Sequence, residues 1–430
     1  MKKLNLNEET KKDLLGNLLN RNPASYTEYE NTVNEIINDI RTRGDEALFE
    51  YTSRFDKCEL GPDSIKITRE EIDEAYRALD PEFIEVMKKS AENIRVFHEK
   101  QKRNTWIDTR DDGSILGQRI IPIEISGVYV PGGKAAYPSS VLMNVVPAKV
   151  AGVERIIMCT PPGKDGRVNP GTLVAADIAG VTESYKAGGA QAIAAMAFGT
   201  ASIPKVDKIT GPGNIFVALA KKACFGHVSI DSIAGPSEIL VLADETANPR
   251  FVAADLLSQA EHDEMASAIL ITTSEDLADK VMKEIDGFLE TLSRSDIIRK
   301  SLDNYGYVFI AGNMDDAVEA ANAIASEHLE IITRNPYEVM TRIKNAGAIF
   351  LGDYSSEPLG DYFAGPNHIL PTNRTARFFS PLSVDDFVKK TSIISYSREA
   401  LEKVHCDIER FAKEEGLTAH ANSIAVRFEN

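Results

Sequence analysis

From residue 125 onward the chain repeats one pattern: a short apolar run, a turn built on glycine or proline, then a stretch with helical periodicity. Residues 125–130 lead into Pro131-Gly132-Gly133 and a helix from about Ser139, and 155–160 precede a helix opened by Pro170. Residues 183–186 run into Gly188-Gly189 and a helix through Phe198, and 206–210 run into Gly211-Pro212-Gly213-Asn214 and a helix to about Cys224. A second series follows, with strands expected at 238–242, 267–272, 307–310, 329–332 and 348–351 and helices at 251–261, 276–292, 315–324 and 337–345. Alternating strand and helix predict an α/β fold with parallel sheets, because a parallel connection needs a crossover long enough to hold a helix. Two such arrays predict two similar α/β domains, and folds of this kind bind ligands in a cleft at the carboxyl ends of their strands.

A chain of 430 residues also exceeds what one hydrophobic core usually serves. Residues 1–124 are charge-rich, with helices expected at 34–49 and 81–98, where Asp80 and Pro81 read as N-cap and first helical residue. No chemistry stands out there. The expected organisation is an N-terminal arm at 1–26, a helical part at 27–124 joined with 238–380 as the first α/β domain, a second, nucleotide-binding α/β domain at 125–237, and a tail at 381–430 with a helix near 397–415.

Composition narrows the partners. The balance of 48 Lys plus Arg against 65 Asp plus Glu leaves a net charge of −17, a field that disfavours nucleic acid and anionic membranes. Cys58, Cys159, Cys224 and Cys406 form no CxxC pair and read as reduced thiols. The first residues contain no apolar secretory core, and the longest charge-free run, 187–204, is interrupted by Gly188, Gly189 and Gly199. The expectation is a cytoplasmic protein without a membrane span.

Few residues are placed to do chemistry. A glycine turn ahead of a helix offers unpaired N–H groups and a positive dipole end to a phosphate, and Gly188-Gly189-Ala190-Gln191 and Gly211-Pro212-Gly213-Asn214 both stand at such points. The fingerprints GxGxxG and GxxxxGK[ST] are absent, so these turns serve either a nucleotide or only the chain's own corners. Among seven histidines, His98, His227 and His405 read as surface or packing residues. Gln259 and His262, three apart on one helical face, suit a shared metal ion or, equally, a cap beside a solvated amide. HExxH is absent. Glu327-His328 joins a carboxylate to an imidazole, an acid/base couple or an ordinary polar loop. Asp361 in Pro-Leu-Gly-Asp-Tyr, His368 in Gly-Pro-Asn-His-Ile-Leu-Pro, and Glu415 with His420 complete the set.

The order of motifs is more telling than any one of them. Gly127-Val-Tyr-Val-Pro-Gly-Gly133, Gly188-Gly-Ala-Gln-Ala-Ile-Ala-Ala195, Gly211-Pro-Gly-Asn214, Ala234-Gly-Pro-Ser-Glu238, Leu257-Ser-Gln-Ala-Glu-His262, Glu327-His-Leu329, Gly360-Asp361, Asn367-His-Ile-Leu-Pro371 and Leu417-Thr-Ala-His420 follow one another along nearly the whole chain. In this the chain resembles the histidinol dehydrogenases. The resemblance implies two Rossmann-like parallel-sheet domains, incomplete in lacking GxGxxG, with small helical N- and C-terminal extensions. It implies one Zn2+ per subunit held by Gln259, His262, Asp361 and His420, and NAD contacts at Tyr129, Gln191 and Asn214. Ser237, Gln259, His262, His328, Asp361, Glu415 and His420 match substrate contacts, with His368 a further candidate. Glu327 matches the base that activates water, and His328 the acid/base that handles substrate protons.

The implied reaction is the four-electron oxidation of L-histidinol through L-histidinaldehyde to L-histidine, the last steps of histidine biosynthesis. NAD accepts two electrons as a hydride, so two NAD are used in turn, and the aldehyde must be hydrated in between. Zinc favours the substrate's imidazole and amine, as an anchor more than as a hydroxide source. The family's tail reaches across a domain-swapped homodimer, which implies a shared site. Two other readings stand beside this one: a zinc hydrolase whose Glu327 activates a metal-bound water, and a two-lobed binding protein without chemistry, which the intact Glu327-His328 pair disfavours.

Overall fold

The computed structural model describes residues 1–19, 27–132, 137–233 and 235–429. Gly133, Ala234 and residues 20–26 of the expected arm lie outside them. The chain divides into two compact units, Met1–Gln101 with Ile123–Phe387, and Lys102–Pro122 with Val388–Asn430.

The larger unit is built on two parallel sheets. One has six strands in the order Lys2–Asn5, Gly306–Ile310, Ser267–Thr272, Glu238–Ala243, His328–Ile332, Ala348–Leu351. The other has five, in the order Glu183–Lys186, Arg155–Thr160, Ile125–Tyr129, Lys208–Thr210, Ser229–Ile230. Apart from the added N-terminal strand, both sheets run third, second, first, fourth, fifth in chain order, the same Rossmann-like winding twice. The two expected α/β arrays are therefore present. Their central strands, such as Glu238–Ala243 and Ser267–Thr272, are buried along their whole length, which is why they read as near-continuous apolar runs. The helices start where the sequence offers caps: Asn169, Asn248, Ser274 and Asn313 each accept backbone N–H groups of the first turn.

Several expectations need correction. The helix expected at 34–49 is two helices, Thr27–Arg43 and Asp45–Asp56, because Gly44 turns the chain at φ +58. The helices between 27 and 99 do not pack on the 238–351 sheet as their expected joining with 238–380 requires. Val33, Ile36, Ile40 and Leu48 share a core with Ile193, Ile209 and Val217, and Ile84, Met87 and Ile94 share one with Val141, Leu142 and Val146. The reason is apolar area: helices Pro138–Ala151 and Gly189–Phe198 are buried almost all round and need a second layer over them. The N-terminal arm instead adds a strand to the six-stranded sheet and packs Leu14 and Leu18 into its core. Helix Ser295–Tyr305 was not expected, and the helix expected at 337–345 shortens to Pro336–Met340.

The smaller unit has an antiparallel sheet in the order Val388–Ser395, Ile115–Pro122, Trp106–Thr109. The single tail helix expected near 397–415 is three: Arg398–Glu402, His405–Glu414 and Thr418–Ala425. Among the described residues, no helix is long and apolar enough to cross a membrane.

Candidate active site

Within the larger unit, a pocket of about 670 Å³ brings together most of the residues singled out in the sequence. One wall is the turns at the carboxyl edge of the five-stranded sheet: Pro131, Gly132, Gly211, Pro212 and Gly213. The opposite wall carries Ser237, Gln259, His262, Glu327, His328, Asp361 and His368. Ser237 and Glu327 directly precede strands Glu238–Ala243 and His328–Ile332, so this wall is the amino edge of its sheet. The expected cleft at carboxyl ends thus holds for one sheet and not for the other. Helix Pro249–Ala260 runs back against the strands, which delivers its carboxyl end, with Gln259 and His262, to their amino edge.

His328 and Glu327 are buried, at 3% and 7% exposure. The Nδ1 of His328 lies 3.0 Å from the Glu238 carbonyl oxygen, which can only accept, so Nδ1 carries the proton and donates. That leaves Nε2, buried and without a hydrogen-bond partner among the described residues, 3.8 Å from Asp361 Oδ1. Glu327 Oε2 accepts the Glu238 N–H at 2.9 Å and stands 3.7 Å from His328 Nδ1. One peptide unit therefore fixes both groups. Burial pushes the Glu327 carboxyl up to about 7, against the pull of His328 and of the Glu238 N–H. Burial disfavours charge on His328, but Glu327 and Asp361 outweigh it and raise the ring to about 10. Asp361 is held well below the ordinary carboxylate range, burial notwithstanding, by His328 and His368.

His262, Glu357 and Asp361 can each offer a ligand atom, all within 4.8 Å of one another. Gln259 is 1% exposed and its Oε1 receives no hydrogen bond from the described residues, a buried oxygen with nothing among them to accept from. An imidazole, a carboxylate and an orphaned amide oxygen on one pocket, with the Glu357 carboxyl within reach, are a donor set that fits a divalent cation such as zinc. His262 keeps an exposed edge at the helix end, but the protein packed around its ring desolvates it and lowers its pKa, which keeps the ring neutral and able to ligate. Glu357 was not singled out in the sequence. It lies in a Glu-Pro pair at the start of helix Glu357–Tyr362, indistinguishable by pattern from a surface cap, yet it is 2% exposed and burial raises it to about 8.

The residues expected to meet the nucleotide stand at the five-stranded sheet. Tyr129 ends its first strand and accepts the Gly189 N–H on its hydroxyl at 3.1 Å. Gln191 is 1% exposed, with Nε2 unpartnered at the start of helix Gly189–Phe198. Asn214 caps helix Ile215–Cys224, its Oδ1 accepting from Phe216 and Val217. A side chain on Gly211, at φ +116, would run into the Tyr129 carbonyl, and one on Gly188 would come within 2.6 Å of Pro161 Cβ. These turns leave room for backbone alone, as a phosphate cradle requires. Tyr129, Gln191 and Asn214 do not themselves line the pocket.

Glu415 and His420 belong to the smaller unit. There they line an apolar groove of about 830 Å³ with Ile408, Phe411, Leu417 and Ile424, and His420 is exposed on helix Thr418–Ala425.

Comparison with known proteins gives this arrangement a family. The histidinol dehydrogenase sequence profile matches residues 19–428. A histidinol dehydrogenase of Clostridium acetobutylicum is 58% identical over 411 residues, covering 96% of this chain and 95% of that protein. One of Bacillus subtilis is 57% identical over 404 residues, covering 94% of each. The crystal structure of histidinol dehydrogenase from Elizabethkingia anophelis superposes with a TM-score of 0.94 at 39% identity, covering 99% of this chain and 98% of that one. The chain is an oxidoreductase enzyme that belongs to the histidinol dehydrogenase family.

Proposed function

We propose that the protein oxidises L-histidinol through L-histidinaldehyde to L-histidine in a zinc-dependent reaction that consumes two NAD. The observation that carries this reading is the fixed Glu327–Glu238–His328 geometry, which leaves an unpartnered imidazole nitrogen and a high-pKa carboxyl side by side in the pocket. Gln259, His262 and Asp361 would hold the zinc, with Glu357 beside them, and His420 would supply the remaining ligand. When bound, zinc supplies an anchor for the substrate's imidazole and amine and neutralises part of the buried negative charge. NAD supplies the hydride acceptor, held by Tyr129, Gln191 and Asn214.

The protein's own groups then handle protons and water. In the first oxidation His328, which would be neutral once zinc offsets the charges of Glu327 and Asp361 that raise it, takes the substrate hydroxyl proton on Nε2 as the carbon-bound hydrogen leaves as hydride. Hydration of the aldehyde needs a base for water and a proton for the carbonyl oxygen: Glu327, with a pKa near working pH, takes the proton of the water, and His328 returns the proton it took. One hydroxyl proton of the hydrate passes to the freed His328 as the second hydride leaves, and the acid so formed loses its remaining proton to solvent, giving the carboxylate. Glu415 and Ser237 would orient the substrate. The site is completed in a cytoplasmic, domain-swapped homodimer by the tail of a second copy, whose exposed His420 sits in an apolar groove suited to a protein surface.

The test is direct. Zinc-loaded protein with L-histidinol and NAD should form two NADH per histidine, read from the absorbance of the reduced cofactor. No NADH from a zinc-loaded, folded dimer overturns the proposal.

A further inference from the structure

Beneath the pocket lies a carboxyl pair that none of the proposed steps uses. Asp255, on helix Pro249–Ala260, is 9% exposed, and Glu330, on strand His328–Ile332, is 1% exposed. Glu330 is two residues past His328, so both side chains leave the strand on the same face. That face packs on the helix, since Ile332 shares a core with Val252, Leu256 and Ala260. A carboxylate in the middle of a buried parallel strand is costly, and an apolar residue of similar volume is commonly as stable or more so.

The contacts of Glu330 are specific. Its Oε1 accepts the backbone N–H of Glu357 at 2.8 Å. Its Oε2 receives nothing from any described donor, and the side chain hydrogen-bonds instead with the Asp255 carboxyl. Two carboxyls in contact are satisfied only with a proton between them, and their shared burial keeps it there. Glu330 thus donates toward one helix and accepts from another. The positions joined are telling: Asp255 stands one helical turn before Gln259, and Glu357 one turn before Asp361. Ser258 adds a parallel tie, donating to Glu357 Oε2 at 3.1 Å.

We infer that Glu330 is a positioning residue for the metal site, tying the helix that carries Gln259 to the helix that carries Asp361, one turn below each ligand. The inference rests on the proposal that Gln259, His262 and Asp361 hold zinc. Ligand orientation depends on such outer contacts, whose loss commonly costs about 10–100-fold in metal affinity.

The experiment follows zinc release from the loaded full-length dimer into excess chelator, by metal analysis over time. Glu330→Gln can donate to Asp255 and accept from Glu357 in the same places, so it should release zinc within about threefold of wild type. The double variant Asp255→Leu with Glu330→Leu fills the space with apolar atoms. It should keep or raise the thermal midpoint of the metal-free protein, yet release zinc roughly 10–100 times faster. Asp255→Ala, at the edge of the contact and less demanding of the core, should also release zinc faster. An unchanged rate in Asp255→Ala or in the double variant overturns the inference, as does Glu330→Gln releasing zinc as fast as the double variant. A wild-type protein that binds no zinc overturns the metal proposal itself, a distinct result.

Discussion

His328 is oriented by a backbone carbonyl, and the nitrogen left over is the one the proposed mechanism uses. Glu327 takes its orientation from the amide of the same residue, Glu238. In the proposed mechanism the pair divides its labour by position, which leads to a prediction. Glu327→Gln keeps the hydrogen bond to the Glu238 N–H but cannot take a proton from water. It should slow conversion of histidinaldehyde to histidine by roughly 100-fold or more while slowing the alcohol step less, measured by supplying each substrate separately. Equal slowing of both halves would remove Glu327 from the water step. Asp56 makes the opposite case, a half-buried carboxyl with one oxygen unpartnered among the described residues. Burial pushes it up to about 6 from an ordinary 3.8, and its Oδ2 is unpartnered. The folded state holds its proton more tightly than the unfolded chain, so the penalty is full above pH 6 and vanishes below the unfolded pKa. Asp56→Asn should stabilise by on the order of 1 kcal/mol at pH 8, after allowance for partial exposure, and by nothing near pH 3.5. Denaturant titrations at the two pH values check it.

At the scale of elements, the turn Gly211–Asn214 is held by a buried ion pair. Lys221, on helix Ile215–Cys224, pairs with Asp231 and donates to the Gly211 carbonyl at 3.0 Å, while Asp231 Oδ2 accepts the Gly211 N–H at 2.8 Å. Both side chains are almost fully buried, so removing one leaves the other charge stranded. Lys221→Met should cost about 3–5 kcal/mol in chemical denaturation. A loss under about 1 kcal/mol would show that the pair is not needed to hold the turn. On the other wall, His262 follows helix Pro249–Ala260 in a turn closed by its N–H on the Gln259 carbonyl at 3.2 Å. His262→Asn should bind zinc at least ~10-fold more weakly by metal titration, since an amide is the poorer ligand.

At the scale of the molecule, the proposed site needs two surfaces that the chain carries in different units. Glu327 belongs to one and His420 to the other. If each site is completed by a second copy, inactive Glu327→Gln and His420→Asn proteins should regain activity when mixed, up to about a quarter of wild type. That figure is the share of sites in which random exchange pairs two unmutated surfaces. Proven subunit exchange without recovery would rule out a shared site.

Much of this was legible along the chain. The two βα arrays, their glycine turns and the Glu327-His328 couple all leave local signals, because strand and helix periods and tight turns are properties of short segments. Glu357, Asp255 and Glu330 left almost none, although Glu330 in the middle of an apolar strand was the anomaly to notice. Their significance is burial, and burial depends on what packs above. The same holds for the helices of residues 27–99, whose apolar stripes fit either sheet on paper and were settled by which helix layer lay uncovered. The sequence by itself determined the two βα arrays, the parallel α/β class and the family. Only the tertiary structure decided that the carboxyl edge of one sheet faces the amino edge of the other, because the direction in which a helix end points is set by packing and not by its own residues.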